Sequence, residues 1–480
     1  MTELILIAGL AGLIWAAAIA VRGSLIAICL ATIVVGACFG FEFWHARLGA
    51  MPLTLDRFIL VFLIVAFAAQ TALRRTDPKP VRTTDRWLGL LLVYLAASTF
   101  THDYLIQFPG DVSPVWRLVA AYLIPAVVYW IARQSPLTEG RVALVQNVLV
   151  LFGIYLAVTG ILEITHQWSL VFPKQIADPT LGIHFGRARG PMLTSVSFGL
   201  FLAVCLLAAL HLLPRLHRLG QLALLAALPL FFASLYFSYT RSVWIGIALA
   251  LLITAGLALR GRLRGTVLAT MVIGLAVVSI GRGESIVGFK RDQSAAETRD
   301  SAEVRTTFAY VSWKMFQQAP LFGVGFGHFP REKLPFLSDR STNLRLEEIR
   351  PLVHHNTFLS LLTETGAIGL GLFLLVLWGW IRDGWALWRS PLAPDWARRH
   401  AMLLLGALGV YGSQLLFHEL SYSALDNLLI FFLAGVQTGV RPLAASAIAQ
   451  RWAAAPDRLV GGSIMDVGPA SDFSSSLCPS

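Results

Sequence analysis

Continuous apolar runs, each close to the length of a membrane-crossing helix, follow one another along almost the whole chain. They fall at about 4–21, 24–41, 58–73, 87–100, 116–132, 142–165, 192–213, 221–238, 242–259, 265–280, 357–380, 400–416 and 426–440. A helix needs roughly 17–25 residues to span the hydrocarbon core, so the pattern predicts about 12–13 transmembrane helices. The runs are continuous rather than alternating, which argues against a β-barrel. The expected fold class is all-α, a polytopic membrane protein. The first run is followed almost at once by the second, and Glu3 is the only charge before it. It therefore reads as a retained span and not as a cleaved signal, which would carry a basic start.

The polar interruptions are of two kinds. Segment 74–86 carries Arg74, Arg75, Lys79, Arg82 and Arg86; segments 214–220, 260–264 and 381–399 are also arginine-rich. These fall on alternate sides of the spans and agree with one another as cytoplasmic under the positive-inside rule. The opposite, external side then receives 42–57, 101–115, 166–191, 281–354 and 417–425. Segment 281–354, between the tenth and eleventh spans, runs to about seventy residues, against the 2–8 usual between bundle helices. Within it, 301–318 is amphipathic, with Val304, Phe308, Val311 and Met315 on one stripe, a pattern that suits a helix lying along the interface or capping the bundle. The expected organisation is one helical domain over 1–440, with 281–354 as a loop within it. A cytoplasmic tail follows at 441–480, disordered from about 453, where Ala, Gly, Ser and Pro dominate.

Composition sharpens this picture. Of 480 residues, 56% are hydrophobic and only 14% charged, where soluble domains average about 25%; mean hydropathy is +0.68. The net charge of +11 has a topological reading, arginines on the cytoplasmic side, and a functional one, attraction to anionic lipid or pyrophosphate. No basic soluble domain is available for nucleic acid. Cys29, Cys38 and Cys205 fall in spans and Cys478 in the tail, with no CxxC or Cys/His cluster. Neither a disulfide framework nor a metal site is expected, and no cofactor is implied.

Candidate chemistry concentrates on the external side. Arg241 lies in the tight hairpin Ser238–Ser242, and Arg187, Arg189 and Arg305 lie in the same set of loops. A guanidinium offers a planar fork of donors and stays charged, which suits a diphosphate. The pair His354–His355 stands where the long loop enters the eleventh span. An imidazole titrates near neutrality and can take a proton from a sugar hydroxyl; it can equally be a polar residue beside a helix cap at Asn356 or Thr357. The run Gly323-Val324-Gly325-Phe326-Gly327 follows Pro320 and lacks a βαβ setting, so it reads as a turn bringing backbone close to a neighbour rather than as a dinucleotide fingerprint. Glu364 reads as a buried partner for an arginine or as a residue facing water.

Taken together, Thr240-Arg241-Ser242, Arg305, Trp313, the run Pro320–Gly327, His355-Asn356-Thr357-Phe358-Leu359 and Glu364-Thr365-Gly366-Ala367-Ile368-Gly369 resemble the signature of the O-antigen ligase and polymerase superfamily. The resemblance covers about 190–375 by motif and most of the chain by span pattern. It implies a GT-C-like architecture and a metal-independent, inverting glycosyltransferase of the bacterial inner membrane with its active site facing the periplasm. The implied donor is a glycan on undecaprenyl diphosphate. The implied acceptor is a hydroxyl of lipid A-core for a ligase, or of a second lipid-linked glycan for a polymerase. Transfer onto protein lies within the same superfamily. By the same resemblance, Arg241 and Arg305 bind the diphosphate with Arg189 as a third contributor, for which Arg187 competes, and His355 is the general base, with His354 as its replacement if the register slips by one. Asn356, Glu364 and Gly325 complete the implied substrate-binding set. The rival reading from another class is a small-anion transporter, which would place charges or broken helices at mid-membrane.

Overall fold

The computed structural model describes residues 2–48, 51–106, 112–281 and 295–453. Each of the apolar runs coincides with a helix, as expected where only a helix satisfies every backbone group without water. Among the described residues, eight helices are long and apolar enough to cross a membrane, or nine if the first bent pair is one span. That pair, Ile14–Arg22 and Leu25–Cys38, is bent by 117° at Gly23–Ser24, so the two runs at the start of the chain do not form one straight helix. Ala424–Val440 is apolar but shorter than the rest. The expected all-α polytopic class stands. The one sheet among the described residues is a small antiparallel pair, His45–Leu48 with Met51–Thr54. The segment expected to be disordered, together with Cys478, lies beyond Ala453 and outside the described residues.

Burial separates central from peripheral helices. In Ser195–Leu212 nearly every residue is buried, small and large alike, so this helix has no lipid-facing side. Asp395–Phe417 and Ala424–Ala453 pack beside it. Leu55–Ala72 and Arg218–Phe237 instead turn Phe58, Val61, Val65, Leu219 and Leu222 outward, an apolar belt of the kind lipid covers. Cys29, Cys38 and Cys205 are free and buried.

The long loop is a folded cap and not an extended tether. Helix Ala295–Gln318 buries Phe308, Val311 and Met315 against Phe329, Leu337, Leu346 and Ile349, with Val304 partly buried beside them. The stripe read from the sequence is thus the face that closes a small separate core. Lys333 is fully buried there, and its ammonium donates to the carbonyls of Ile349 (2.7 Å) and Leu352.

The glycine run locks this cap onto the bundle. Helix Thr357–Arg389 is broken at Gly366, where φ is 65° and ψ is −169°. The segment 320–325 lies in the break. Val324 and Gly325 N–H donate to the carbonyls of Thr363 (3.0 Å) and Glu364 (2.9 Å), while Ala367 N–H donates to Pro320 (2.9 Å). Groups orphaned by the break are therefore satisfied by the loop. A Cβ on Gly323 would stand 2.3 Å from the Glu364 carbonyl carbon, and one on Gly366 would stand 2.3 Å from that of Leu321. With both residues at positive φ, only glycine allows backbone to approach backbone so closely.

Candidate functional site

Arg241 is positioned by a tight turn between two helices. Helix Arg218–Phe237 ends, Tyr239 takes a left-handed φ of 46°, and Thr240 precedes helix Arg241–Ala258. Thr240 O accepts from Val243 N–H (3.0 Å) and Trp244 N–H (3.3 Å). The Trp244 indole N–H donates back to Leu235 O (3.0 Å), and its ring stacks on Tyr236 at 5.6 Å. Arg241 is thereby fixed in the first turn of a helix, where the positive end of the dipole adds to its charge.

Its side chain lines a cavity of about 230 Å³ together with Arg187, Arg305, His184, Ser242 and His418. A second cavity of about 330 Å³ is lined by Arg305, His354, His355, His418, Glu419 and His184, among others. His184, Val196, Arg305, Phe417 and His418 line both, so the two form one cleft. Arg305, carried by the cap helix, sets its guanidinium 5.6 Å from the centroid of Phe417. Arg187, Arg241 and Arg305 come from three separate segments and line the same cavity.

The adjacent histidines are used differently. His354 is buried, with Nε2 3.0 Å from Thr363 Oγ1 and its ring 3.6 Å from that of Phe329. The Thr363 hydroxyl donates to Leu359 O (2.8 Å), so it accepts from His354, which places the proton on Nε2. Nδ1 is buried without a hydrogen-bond partner. Burial, reinforced by the nearby Arg117 and Lys333 charges, pushes this imidazole well below its ordinary pKa and keeps it neutral. His355 is exposed, and Phe308 meets its ring edge to face at 5.3 Å. Of the two, His355 is the imidazole a substrate can reach.

The two neighbouring arginines diverge in the same way. Arg187 lines the cleft. Arg189 is buried, and its guanidinium donates to the carbonyls of Ile176 (3.1 Å) and Asp178 (2.7 Å) and to Leu181 O, over the Phe185 ring at 4.8 Å. Its N–H and that of Gly190 reach the Glu163 carboxylate at 3.0 and 2.9 Å. Arg189 holds loop 176–190 together and lies outside the cleft lining. Asn356 also lies outside that lining. Its Oδ1 accepts from Leu359 N–H (2.9 Å) and its amide donates to Leu416 O (2.9 Å), which ties the start of Thr357–Arg389 to the end of Asp395–Phe417. Gly325 lies against the His102 ring, within 2.8 Å of where a Cβ would be.

Glu364 has a partner, and it is none of these arginines. Arg117 reaches Glu364 at 2.8 Å and Glu419 at 3.5 Å, donates to Ser360 Oγ (3.0 Å) and to Ser421 Oγ, and is sandwiched between Phe326 and Tyr422 at 4.7 Å each. Arg117, Glu364 and Glu419 are all buried. Arg117 sits two residues before a π-helical stretch, Val119–Leu123, an irregularity often found at functional sites. Its signal was present in the sequence as a lone charge inside an apolar run. His184 gave no comparable signal, being one polar residue in a polar loop. Among the described residues, no group of three or more His, Cys, Asp or Glu side chains is arranged to hold a metal ion.

Residues 222–374 match the O-antigen ligase family. The match takes in the Arg241 turn, the cap and the His355 junction, and it supports the O-antigen ligase and polymerase superfamily and a function of that general type. No curated protein matches the chain.

Proposed function

We propose that the cleft transfers a glycan from undecaprenyl diphosphate to an acceptor hydroxyl, as an inverting, metal-independent glycosyltransferase of the ligase kind. One observation carries this reading: Arg187, Arg241 and Arg305 share a single cleft with an exposed His355. The guanidiniums hold the diphosphate and stabilise the charge that develops on it. The acceptor oxygen attacks the anomeric carbon, the bond from that carbon to the diphosphate oxygen breaks with its electron pair, and the acceptor proton passes to His355. Displacement from the opposite face inverts the centre and needs no carboxylate nucleophile. We place the cleft at the periplasmic face of the bacterial inner membrane, within one helical domain that includes the cap.

The break at Gly366 is the feature a transporter of small anions would share. Here segment 320–325 fills it and uses its backbone groups. Joining lipid-linked repeats, as a polymerase does, would use the same donor chemistry with another acceptor.

The test is transfer by the purified full chain from lipid-linked glycan extracted from the cells that produce it. His355→Ala should lower the rate by about 10²–10⁴ while membrane insertion and melting temperature persist. Unchanged turnover by that variant would remove the base. EDTA should leave the rate intact; inhibition reversed by magnesium or manganese would overturn the metal-free mechanism. In a deletion strain, polymer accumulating on the carrier marks a ligase. Single repeats still attached to the acceptor mark a polymerase.

A further inference from the structure

Two histidines that line both cavities, His184 and His418, have no part in the mechanism above. His184 lies at the junction of the two cavities and lines both. Its φ of 65° is in the left-handed region that side-chain-bearing residues seldom adopt, and such outliers gather where a side chain must be aimed. The loop is pinned around it: Ile183 N–H donates to Leu193 O (2.9 Å), Arg187 N–H to His184 O (3.1 Å) and Ala188 N–H to Phe237 O (2.9 Å).

A chain of hydroxyls behind the ring fixes its tautomer. His184 Nδ1 is 2.9 Å from Ser195 Oγ, Ser195 Oγ is 2.9 Å from Thr240 Oγ1, and Thr240 Oγ1 is 3.0 Å from Ser238 O. A carbonyl only accepts, so the Thr240 proton goes to Ser238. The Ser195 proton then goes to Thr240, and the remaining contact requires a proton on Nδ1. Any other assignment sets two lone pairs against each other where Ser195, Thr240 and Ser238 are all buried, which is costly. In the neutral ring Nε2 then carries the lone pair. An acceptor nitrogen is repelled by phosphate oxygens and is satisfied by a hydroxyl.

We infer that His184 is a substrate-positioning residue whose Nε2 accepts a hydrogen bond from a hydroxyl of the transferred glycan. This rests on the glycan-transfer reading above and orders the cleft. The diphosphate lies at Arg187, Arg241 and Arg305, the first sugar at His184 and the acceptor at His355. A doubly protonated ring would instead donate to phosphate, and the two cases separate by experiment.

The full chain in detergent is measured for affinity to undecaprenyl diphosphate, which carries no sugar, and for transfer from the extracted lipid-linked glycan. His184→Ala should bind undecaprenyl diphosphate within about twofold of the unaltered protein while kcat/KM for transfer falls about tenfold, the scale of one hydrogen bond. Arg241→Ala should weaken both. Ser195→Ala keeps the ring but releases its tautomer and should lose about threefold in transfer, recovered in Ser195→Thr, which restores the hydroxyl. Should His184→Ala fail to fold, the Ser195 pair decides. Normal transfer by His184→Ala, equal transfer by both Ser195 variants and the unaltered chain, or a loss of undecaprenyl diphosphate affinity matching that of Arg241→Ala would each overturn the assignment. An inactive His355→Ala beside a normal His184→Ala removes His184 alone; a fully active His355→Ala removes the underlying reading.

Discussion

Arg117 and Arg241 belong to adjoining regions of the same bundle and are built for opposite ends. Around Arg117 the protein supplies everything: two carboxylates, two hydroxyls and two aromatic faces, with the guanidinium out of contact with water. Arg241 stands at a helix start and lines a cavity with two further arginines. A buried ion pair is costly to form and more costly to break, so the first region fixes structure. Glu364 lies beside the helix break, Glu419 lines the His355 cavity, and Arg117 ties the two together. The charge cluster thus borders the cleft with its own donors already committed to protein.

The strongest way to break this contrast is Arg117→Ala. Removing the guanidinium leaves two carboxylates buried without their counter-charge, and a loss of about 3–5 kcal/mol in stability is expected, read as a large drop in melting temperature. Arg117→Met combined with Glu364→Met should be less damaging than Arg117→Ala alone. If Arg117→Ala melts normally, the cluster is not the structural one.

Arg241→Lys should act the other way. A lysine keeps the charge but loses the two-pronged fork, so transfer should fall about tenfold, equivalent to about 1.4 kcal/mol, with the melting temperature almost unmoved. Normal transfer by this variant would end the case for bidentate diphosphate recognition.

The smallest effect is on acid stability and concerns His354. His354 is held well below its ordinary pKa by burial. Above about pH 6.5 the ring is neutral in folded and unfolded chains alike and contributes no pH dependence. As the pH falls below that value, the unfolded chain takes up a proton that the folded one refuses, so stability declines. His354→Gln should flatten the decline of melting temperature between about pH 6.5 and 5. An unchanged slope in His354→Gln would show the ring to be protonated in place.

Much of the site was legible in the motifs. Arg241 and the histidine pair stand out because a cation or imidazole beside an apolar run is conspicuous, and Arg305 stands out only through the motif that contains it. Arg187 and Arg189 differ by two positions in the same loop, and nothing local distinguishes the one facing the cleft from the one caged by carbonyls. The partner of Glu364 lies 247 positions away in sequence, beyond the reach of any local pattern. The glycine run announced a close approach of backbone but not what it approached, because the break at Gly366 is stable only once segment 320–325 fills it.

The chain by itself determined the helices, the amphipathic stripe of the cap and the chemistry available at one set of loops. These follow from transfer free energy and periodicity, which act over neighbouring residues. Only the tertiary structure decided that His354 is enclosed while His355 is exposed, that Arg189 faces carbonyls while Arg187 faces the cavity, and that His184 joins them. Each of those outcomes depends on which surfaces distant helices cover when they pack, and packing is a property of the assembled bundle and not of any one segment.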